Sequence, residues 1–93
     1  MATKINKEKQ LKKVKFECPA PGASKVMLVA DFTSWTPKRM TKSRSNASAF
    51  VATIELKPGR YEYKYLVDDE WREDPQAESV QNPFGTSNSV VTV

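Results

Sequence analysis

The residues best equipped for chemistry lie in one acidic segment, "DDEWRED", at residues 68–74. Paired carboxylates can hydrolyse glycosidic bonds, and the segment supplies five of them: Asp68, Asp69, Glu70, Glu73 and Asp74. A catalytic pair needs a pocket that raises the pKa of one partner, whereas a turn this rich in charge is expected to be hydrated. The spacing also matches no calcium-binding loop. The segment therefore predicts neither a catalytic pair nor a metal site.

Composition restricts other catalytic chemistry further. The chain has no histidine and a single cysteine, Cys18, which the apolar alternation places in a strand. Zinc sites of the usual type and histidine-assisted nucleophilic catalysis both need residues that this chain lacks. We expect a protein that is not an enzyme and that has no cofactor.

Two tryptophans stand outside the apolar alternation of the strands. Trp35 lies in the polar segment "VADFTSWTPKRM", and Trp71 follows the turn at Asp68 and Asp69. An aromatic ring exposed on a β scaffold is costly for solubility unless a partner covers it. The apolar face of a sugar ring is such a partner, with polar side chains bonding the hydroxyls at its rim. The structural alternatives are a core plug for Trp35 and a hairpin cover for Trp71.

The elements that must position these rings are short strands. Alternation of apolar and charged residues from Val14 to Cys18 predicts a first strand, and "KVMLVAD", apolar on both faces, predicts a central one. "FVATIEL" and "YEYKYLV" are separated by "KPGR", whose Pro58 and Gly59 predict a tight hairpin. The closing "SVVTV" predicts a terminal strand.

This pattern predicts an all-β fold, since no segment shows sustained helical periodicity. Several short strands with turn residues between them are typical of an immunoglobulin-like antiparallel β-sandwich. Ninety-three residues suit a single domain with a modest core. Five aromatic residues are expected to fill the space between the sheets: Phe16, Phe50, Tyr61, Tyr63 and Tyr65.

The basic charge is concentrated at the N-terminus. The first fifteen residues carry six lysines and one acid, whereas residues 16–93 carry nine basic and ten acidic residues. We predict a basic, partly disordered tail at residues 1–12 and a folded domain at residues 13–93. A basic tail can bind nucleic acid, but this one lacks interleaved aromatics, which argues against that partner. The sequence has no signal-like or membrane-spanning apolar run, so we expect a cytoplasmic protein with no membrane partner.

Three sequence blocks in a fixed order resemble a known family. "VADFTSW", "GRYEYKYLVDDEWREDP" and "NPFGTSNSVVTV" are similar to the glycogen-binding domain of the AMP-activated protein kinase β subunit and to family 48 carbohydrate-binding modules. That family includes the isoamylase-like N-terminal modules of branching and debranching enzymes, and the resemblance covers about residues 13–93. It implies an early-set sandwich that binds α-1,4-linked glucans without catalysis. The family's enzymes carry a separate (β/α)₈ domain of roughly 250 residues, for which this chain has no room.

The resemblance also implies a sugar site of six residues. It assigns two stacking platforms, a lysine that bonds sugar hydroxyls, a loop residue inserted against the helical glucan, and an asparagine with a nearby threonine: Trp35 and Trp71, Lys64, Phe84, Asn88 and Thr86. Two positions depart from the family pattern. The usual Asp-Gly before the second tryptophan is Asp68-Asp69 here, and the loop residue, aliphatic in the kinase subunit, is Phe84.

Structural roles compete with these assignments. Lys64 shares a strand face with Glu62 and could form a surface ion pair. Asn88 and Thr86 could serve a turn, and Phe84 could belong to the core. The alternative function is an immunoglobulin-like interaction or adaptor module without sugar binding. A glycogen-metabolising enzyme or another protein is the partner that an adaptor role implies.

Overall fold

The computed structural model describes residues 11–93 and shows two antiparallel β-sheets that pack against each other. The strands of this part of the chain are β1 (Lys12–Pro19), β2 (Val26–Ala30), β3 (Lys38–Arg39), β4 (Thr41–Lys42), β5 (Ala49–Leu56), β6 (Arg60–Val67), β7 (Glu70–Arg72), β8 (Glu78–Gln81) and β9 (Ser87–Thr92). One sheet has the order β1-β5-β4, and the other has the order β3-β2-β6-β9-β8, with β7 also paired to β6. The predicted all-β, immunoglobulin-like sandwich of one domain is confirmed.

The remaining regular structure within residues 11–93 is one 3-10 turn, Asp31–Thr33. Over residues 11–93, no helix has the length and apolar character needed to cross a membrane. Lys12, assigned to the basic tail, is the first residue of β1 and pairs with Leu56. The preceding part of that predicted tail, residues 1–10, lies outside the described residues.

The core lies between the two sheets and is rich in aromatic rings. Tyr63 packs edge-on against Phe16, with ring centroids 4.9 Å apart, and against Tyr65, with centroids 5.7 Å apart. Phe50 is also buried, and Tyr61 is half-buried against the same cluster. The prediction that these five aromatics fill the core is therefore confirmed, and their burial supplies much of the driving force for folding.

The predicted hairpin between "FVATIEL" and "YEYKYLV" is wrong. Strand β5 pairs with β1 and β4, whereas β6 pairs with β2, β7 and β9 in the other sheet. The backbone of Gly59 is bonded to Val93, with its N–H 3.0 Å from the Val93 carbonyl oxygen and its own carbonyl 2.8 Å from the Val93 N–H. The "KPGR" segment thus crosses between sheets. Alternation reports which face of a strand is buried, but not which strand is its neighbour.

The prediction of a central position for "KVMLVAD" is confirmed. Strand β2 lies between β3 and β6, and both Leu28 and Val29, which point to opposite faces, are buried. A strand covered on both faces needs apolar residues throughout, in agreement with its sequence.

A carboxylate, Asp74, ties two core tyrosines to the segment that follows β7. Its Oδ2 accepts a hydrogen bond from the Tyr63 hydroxyl at 2.6 Å and lies 3.4 Å from the Tyr65 hydroxyl. The Asp74 backbone N–H donates to Ser89 Oγ at 2.7 Å, which fixes the same segment to β9. Burial raises the pKa of both tyrosines, and the negative charge of Asp74 raises it further.

The thiol of Cys18 is predicted to be inert in the folded protein. The side chain is buried in β1, and burial raises its pKa to about 11, with the Asp74 charge acting in the same direction. A disulfide exchange reagent at pH 8 should therefore react with one thiol per chain only after guanidinium unfolding. A Cys18→Ala variant, which should show no reaction in either state, is the control. Rapid labelling of the folded protein would contradict this prediction.

Candidate functional site

A groove of about 530 Å³ lies over the six-stranded sheet. Glu62 and Lys64 alternate with the buried Tyr63 and Tyr65, so their side chains point away from the core and form part of its floor. The lining residues are Trp35, Glu62, Lys64, Trp71, Asn82, Pro83, Phe84, Thr86 and Asn88. The structure thus brings all six of the sequence-predicted site residues together in one groove.

Trp35 is positioned by a tight backbone turn after β2. Its N–H donates to the Ala30 carbonyl at 2.9 Å, across the 3-10 turn. Ser34 and Trp35 have φ of 55° and 59°, a left-handed conformation that is unfavourable for a bulky residue. Trp35 remains 46% exposed, so the turn presents the ring at the surface.

Trp71 is positioned by the hairpin between β6 and β7. It lies opposite Leu66 in the pairing of these strands, and it is 59% exposed. Asp68 and Asp69 take φ of 46° and 71°, so the non-glycine turn adopts the left-handed conformation that a two-residue hairpin favours. The Asp68 carboxylate secures this turn, because its Oδ1 accepts from the Ser24 N–H at 3.0 Å and the Lys25 N–H at 2.8 Å.

Polar side chains line the same groove as the two indole rings. The Lys64 ammonium donates to Thr86 Oγ1 at 3.2 Å and lies 5.8 Å from the Trp71 ring centroid, within cation-π range. Glu62 pairs with Arg60, at 3.3 Å, while Lys64 bonds Thr86 and has no ion pair with Glu62 among the described residues, so that alternative role of Lys64 is wrong. Asn88 lies in β9, 7% exposed, and donates to Glu62 Oε1 at 3.0 Å, which is not the turn role considered for it.

The loop at residues 82–86 forms one rim of the groove. Its ends are closed by a hydrogen bond from the Asn82 N–H to the Thr86 carbonyl at 2.8 Å. Gly85 has φ of 84°, a conformation that glycine adopts without strain. Phe84 is 89% exposed, which rules out the core role considered for it and leaves its ring free beside the groove.

Three lining residues, Glu62, Asn82 and Pro83, were missed by sequence reasoning. Glu62 could have been found, because it lies two residues before Lys64 and so shares its strand face. Asn82 and Pro83 carry the ordinary signal of a turn, which does not distinguish a loop from a binding site.

The groove combines flat apolar rings with closely spaced polar groups. Two indoles and a phenyl ring are exposed, and Lys64, Thr86 and Asn88 line the same groove. In the part of the chain that the structure describes, no group of three or more His, Cys, Asp or Glu residues could hold a metal ion. An immunoglobulin-like sandwich with such a groove is of the class of β-sandwich carbohydrate-binding modules.

Comparison with known proteins identifies the family. The family described as the glycogen recognition site of AMP-activated protein kinase matches residues 13–93. This chain therefore belongs to that family of glycogen-recognition domains, and it is a carbohydrate-binding module of the family 48 type.

Individual relatives agree with this assignment. The chain is 36% identical over 72 residues to 5'-AMP-activated protein kinase subunit beta-1 of Sus scrofa, a match that covers 77% of this chain and 57% of the relative. It is 35% identical over 72 residues to the Homo sapiens subunit, covering 77% and 26% of the two chains. It is 42% identical over 71 residues to Protein FLOURY ENDOSPERM 6, chloroplastic, of Oryza sativa subsp. japonica, covering 76% and 13%. The chain thus matches only part of the length of each of these relatives.

Proposed function

We propose that this chain is a non-catalytic module that binds α-1,4-linked glucans such as glycogen, starch and maltooligosaccharides. The observation that carries the proposal is the convergence of Trp35, Trp71 and Phe84 around the hydrogen-bonding groups of Lys64 and Thr86 in one open groove. Family membership supports it, since the matching family is described by its recognition of glycogen.

The two indoles would act as platforms for glucose rings. Each ring would cover the apolar C–H face of a glucose unit, while the polar groups between the platforms would bond its hydroxyls. An open groove on a small domain fits a weak interaction, with a dissociation constant on the order of 10 µM to 1 mM, or about −7 to −4 kcal/mol. Phe84, at the rim, would contact the curved glucan from the side.

The acidic side chains in and near the groove accept hydrogen bonds that hold the fold together, which supports a non-catalytic role of the chain. Asp68 holds the β6-β7 turn, Asp74 holds the core tyrosines, and Glu73 accepts from the Ser79 hydroxyl at 2.8 Å. In the groove, Glu62 is bonded to Arg60 and Asn88. These carboxylates are occupied as acceptors, and none has the enclosed apolar setting of a general acid.

We further infer that the chain brings a protein partner, such as a glycogen-metabolising enzyme, to the glucan. One group of relatives is named as a kinase subunit, a protein that assembles with others. The cytoplasmic location stays a prediction, since other relatives are named as chloroplastic.

Glucan binding is expected to be visible as retarded migration in a native gel that contains glycogen. The control gel contains dextran, a glucose polymer with α-1,6 links, at the same concentration, so that viscosity affects both gels alike. Calorimetric titration with maltoheptaose provides the second measurement. Unchanged mobility together with no heat of binding would overturn the proposal and favour the interaction module without sugar binding.

A further inference from the structure

Asn82 occupies a central position in the hydrogen bonding of the groove. Its Oδ1 accepts from the backbone N–H groups of Phe84 at 3.0 Å and Thr86 at 3.2 Å. Because a backbone N–H can only donate, these two bonds fix which end of the Asn82 amide is oxygen. The Nδ2 group must then face the groove, where it lies 2.7 Å from Thr86 Oγ1 and 3.4 Å from Asn88 Oδ1.

This arrangement determines how the Thr86 hydroxyl can bond. Its oxygen accepts from Asn82 Nδ2 at 2.7 Å and from Lys64 Nζ at 3.2 Å, and neither donor can act as an acceptor. A hydroxyl has two lone pairs and one proton, so both acceptor positions of Thr86 are occupied within the protein. The proton is what remains available to a ligand, and Thr86 lines the groove.

The amide of Asn88 is oriented by the same network. The Glu62 carboxylate can only accept, so the bond from Asn88 Nδ2 at 3.0 Å directs Asn88 Oδ1 away from Glu62. That oxygen faces Asn82 Nδ2, and Glu62 is itself held by Arg60 at 3.3 Å. Asn82 thus contacts both Thr86 and Asn88.

We propose that Asn82 is a positioning residue that makes the Thr86 hydroxyl a hydrogen-bond donor to a hydroxyl oxygen of the sugar. The inference rests on the proposed glucan binding and adds the direction of one contact. Asn82 also holds the backbone of the loop that carries Phe84, so a substitution that separates these two roles is needed.

Asn82→Asp separates them. A carboxylate keeps the oxygen that accepts from the Phe84 and Thr86 N–H groups, but its second oxygen replaces the donor that faced Thr86. That second oxygen accepts a hydrogen bond from the Thr86 hydroxyl. The Thr86 proton is then no longer available to the ligand. Loss of one neutral hydrogen bond predicts a maltoheptaose affinity about three- to tenfold lower, with the melting temperature nearly unchanged.

Thr86→Val, which removes the hydroxyl and keeps the side-chain shape, is the matched comparison and should lower affinity by a similar factor. In the Asn82→Asp, Thr86→Val double variant, the loss should not exceed that of Thr86→Val alone, because both changes remove the same bond. A merely structural role of Asn82 would make the two losses multiply. Multiplying losses, or unchanged affinity of Asn82→Asp, would overturn the inference.

The unmodified protein provides a test that does not depend on the folding of a variant. Maltotetraoses with one hydroxyl replaced by fluorine or by hydrogen can be compared position by position, since fluorine can accept a hydrogen bond weakly and neither can donate. At the position that receives the Thr86 proton, the fluoro sugar should bind more tightly than the deoxy sugar. If no position shows this order, the inference fails while the glucan proposal stands. If unmodified maltotetraose and maltoheptaose do not bind at all, the proposed function fails, and the inference fails with it.

Discussion

Replacement of Trp71 by alanine is expected to weaken maltoheptaose binding by about 5- to 150-fold and to leave the free energy of unfolding nearly unchanged. The factor corresponds to a stacking contact of roughly 1 to 3 kcal/mol, by analogy with bases stacked on aromatic side chains. Stability should hold because the ring is 59% exposed and lies outside the core cluster. Calorimetric titration and guanidinium denaturation of the same variant measure both quantities.

Trp35 has a left-handed backbone, with φ of 59°, so its replacement by alanine can be compared with its replacement by glycine. Trp35→Ala and Trp35→Gly both remove the ring and should weaken binding to the same degree. Glycine relieves the left-handed backbone and alanine does not, so Trp35→Gly should be more stable than Trp35→Ala by about 1 kcal/mol. A loss of 3 to 5 kcal/mol in both variants would instead identify a core plug. Normal binding by the Trp35 and Trp71 variants would show that neither ring contributes to glucan binding.

The fold was largely predictable from alternation, and its main error has a physical cause. Phe16, Tyr63 and Tyr65 were correctly assigned to the core because period-two patterning records which side chains face inward. Pairing depends on contacts between distant strands, and the local pattern is the same for a hairpin and for a connection between sheets. The pairing of β5 with β1 and of β6 with β9 decides between them, and these partner strands are distant in the sequence.

Most residues of the candidate site could be predicted from the sequence, but their hydrogen-bond partners could not. Resemblance to a family assigns Lys64, Thr86 and Asn88 to places in the sequence, and the structure brings these places together. Their bonding partners are distant in the sequence: Lys64 reaches Thr86 across 22 residues, and Asn88 reaches Glu62 across 26. Such bonds depend on the register of β6 and β9, which no local pattern reports.

Replacement of Asp74 by alanine is expected to lower the free energy of unfolding by about 2 to 4 kcal/mol. The variant leaves the buried Tyr63 hydroxyl without its acceptor at 2.6 Å, and it removes the bond from the Gln76 N–H to Asp74 Oδ1 at 3.0 Å. This loss is a large part of the roughly 5 to 15 kcal/mol that stabilise a small domain. Glu73→Ala is the matched control, since Glu73 is exposed and its bond to the Ser79 hydroxyl lies at the surface, so stability should change by less than about 0.5 kcal/mol.

The same network should make the protein sensitive to alkaline pH. Well below pH 10, the ordinary pKa of tyrosine, the phenols of Tyr63 and Tyr65 are protonated in both states, and they contribute no pH dependence. Above it the unfolded chain releases these protons while the folded chain retains them, because burial and the Asp74 charge raise the folded pKa. Stability should therefore fall as pH rises, by about 1.4 kcal/mol per pH unit for each tyrosine. Tyr63→Phe should reduce the fall of the free energy of unfolding with pH by the contribution of one tyrosine. Denaturation curves recorded at several pH values between 10 and 11.5 measure this fall. An unchanged slope would show that the Tyr63 proton is not held more tightly in the folded state.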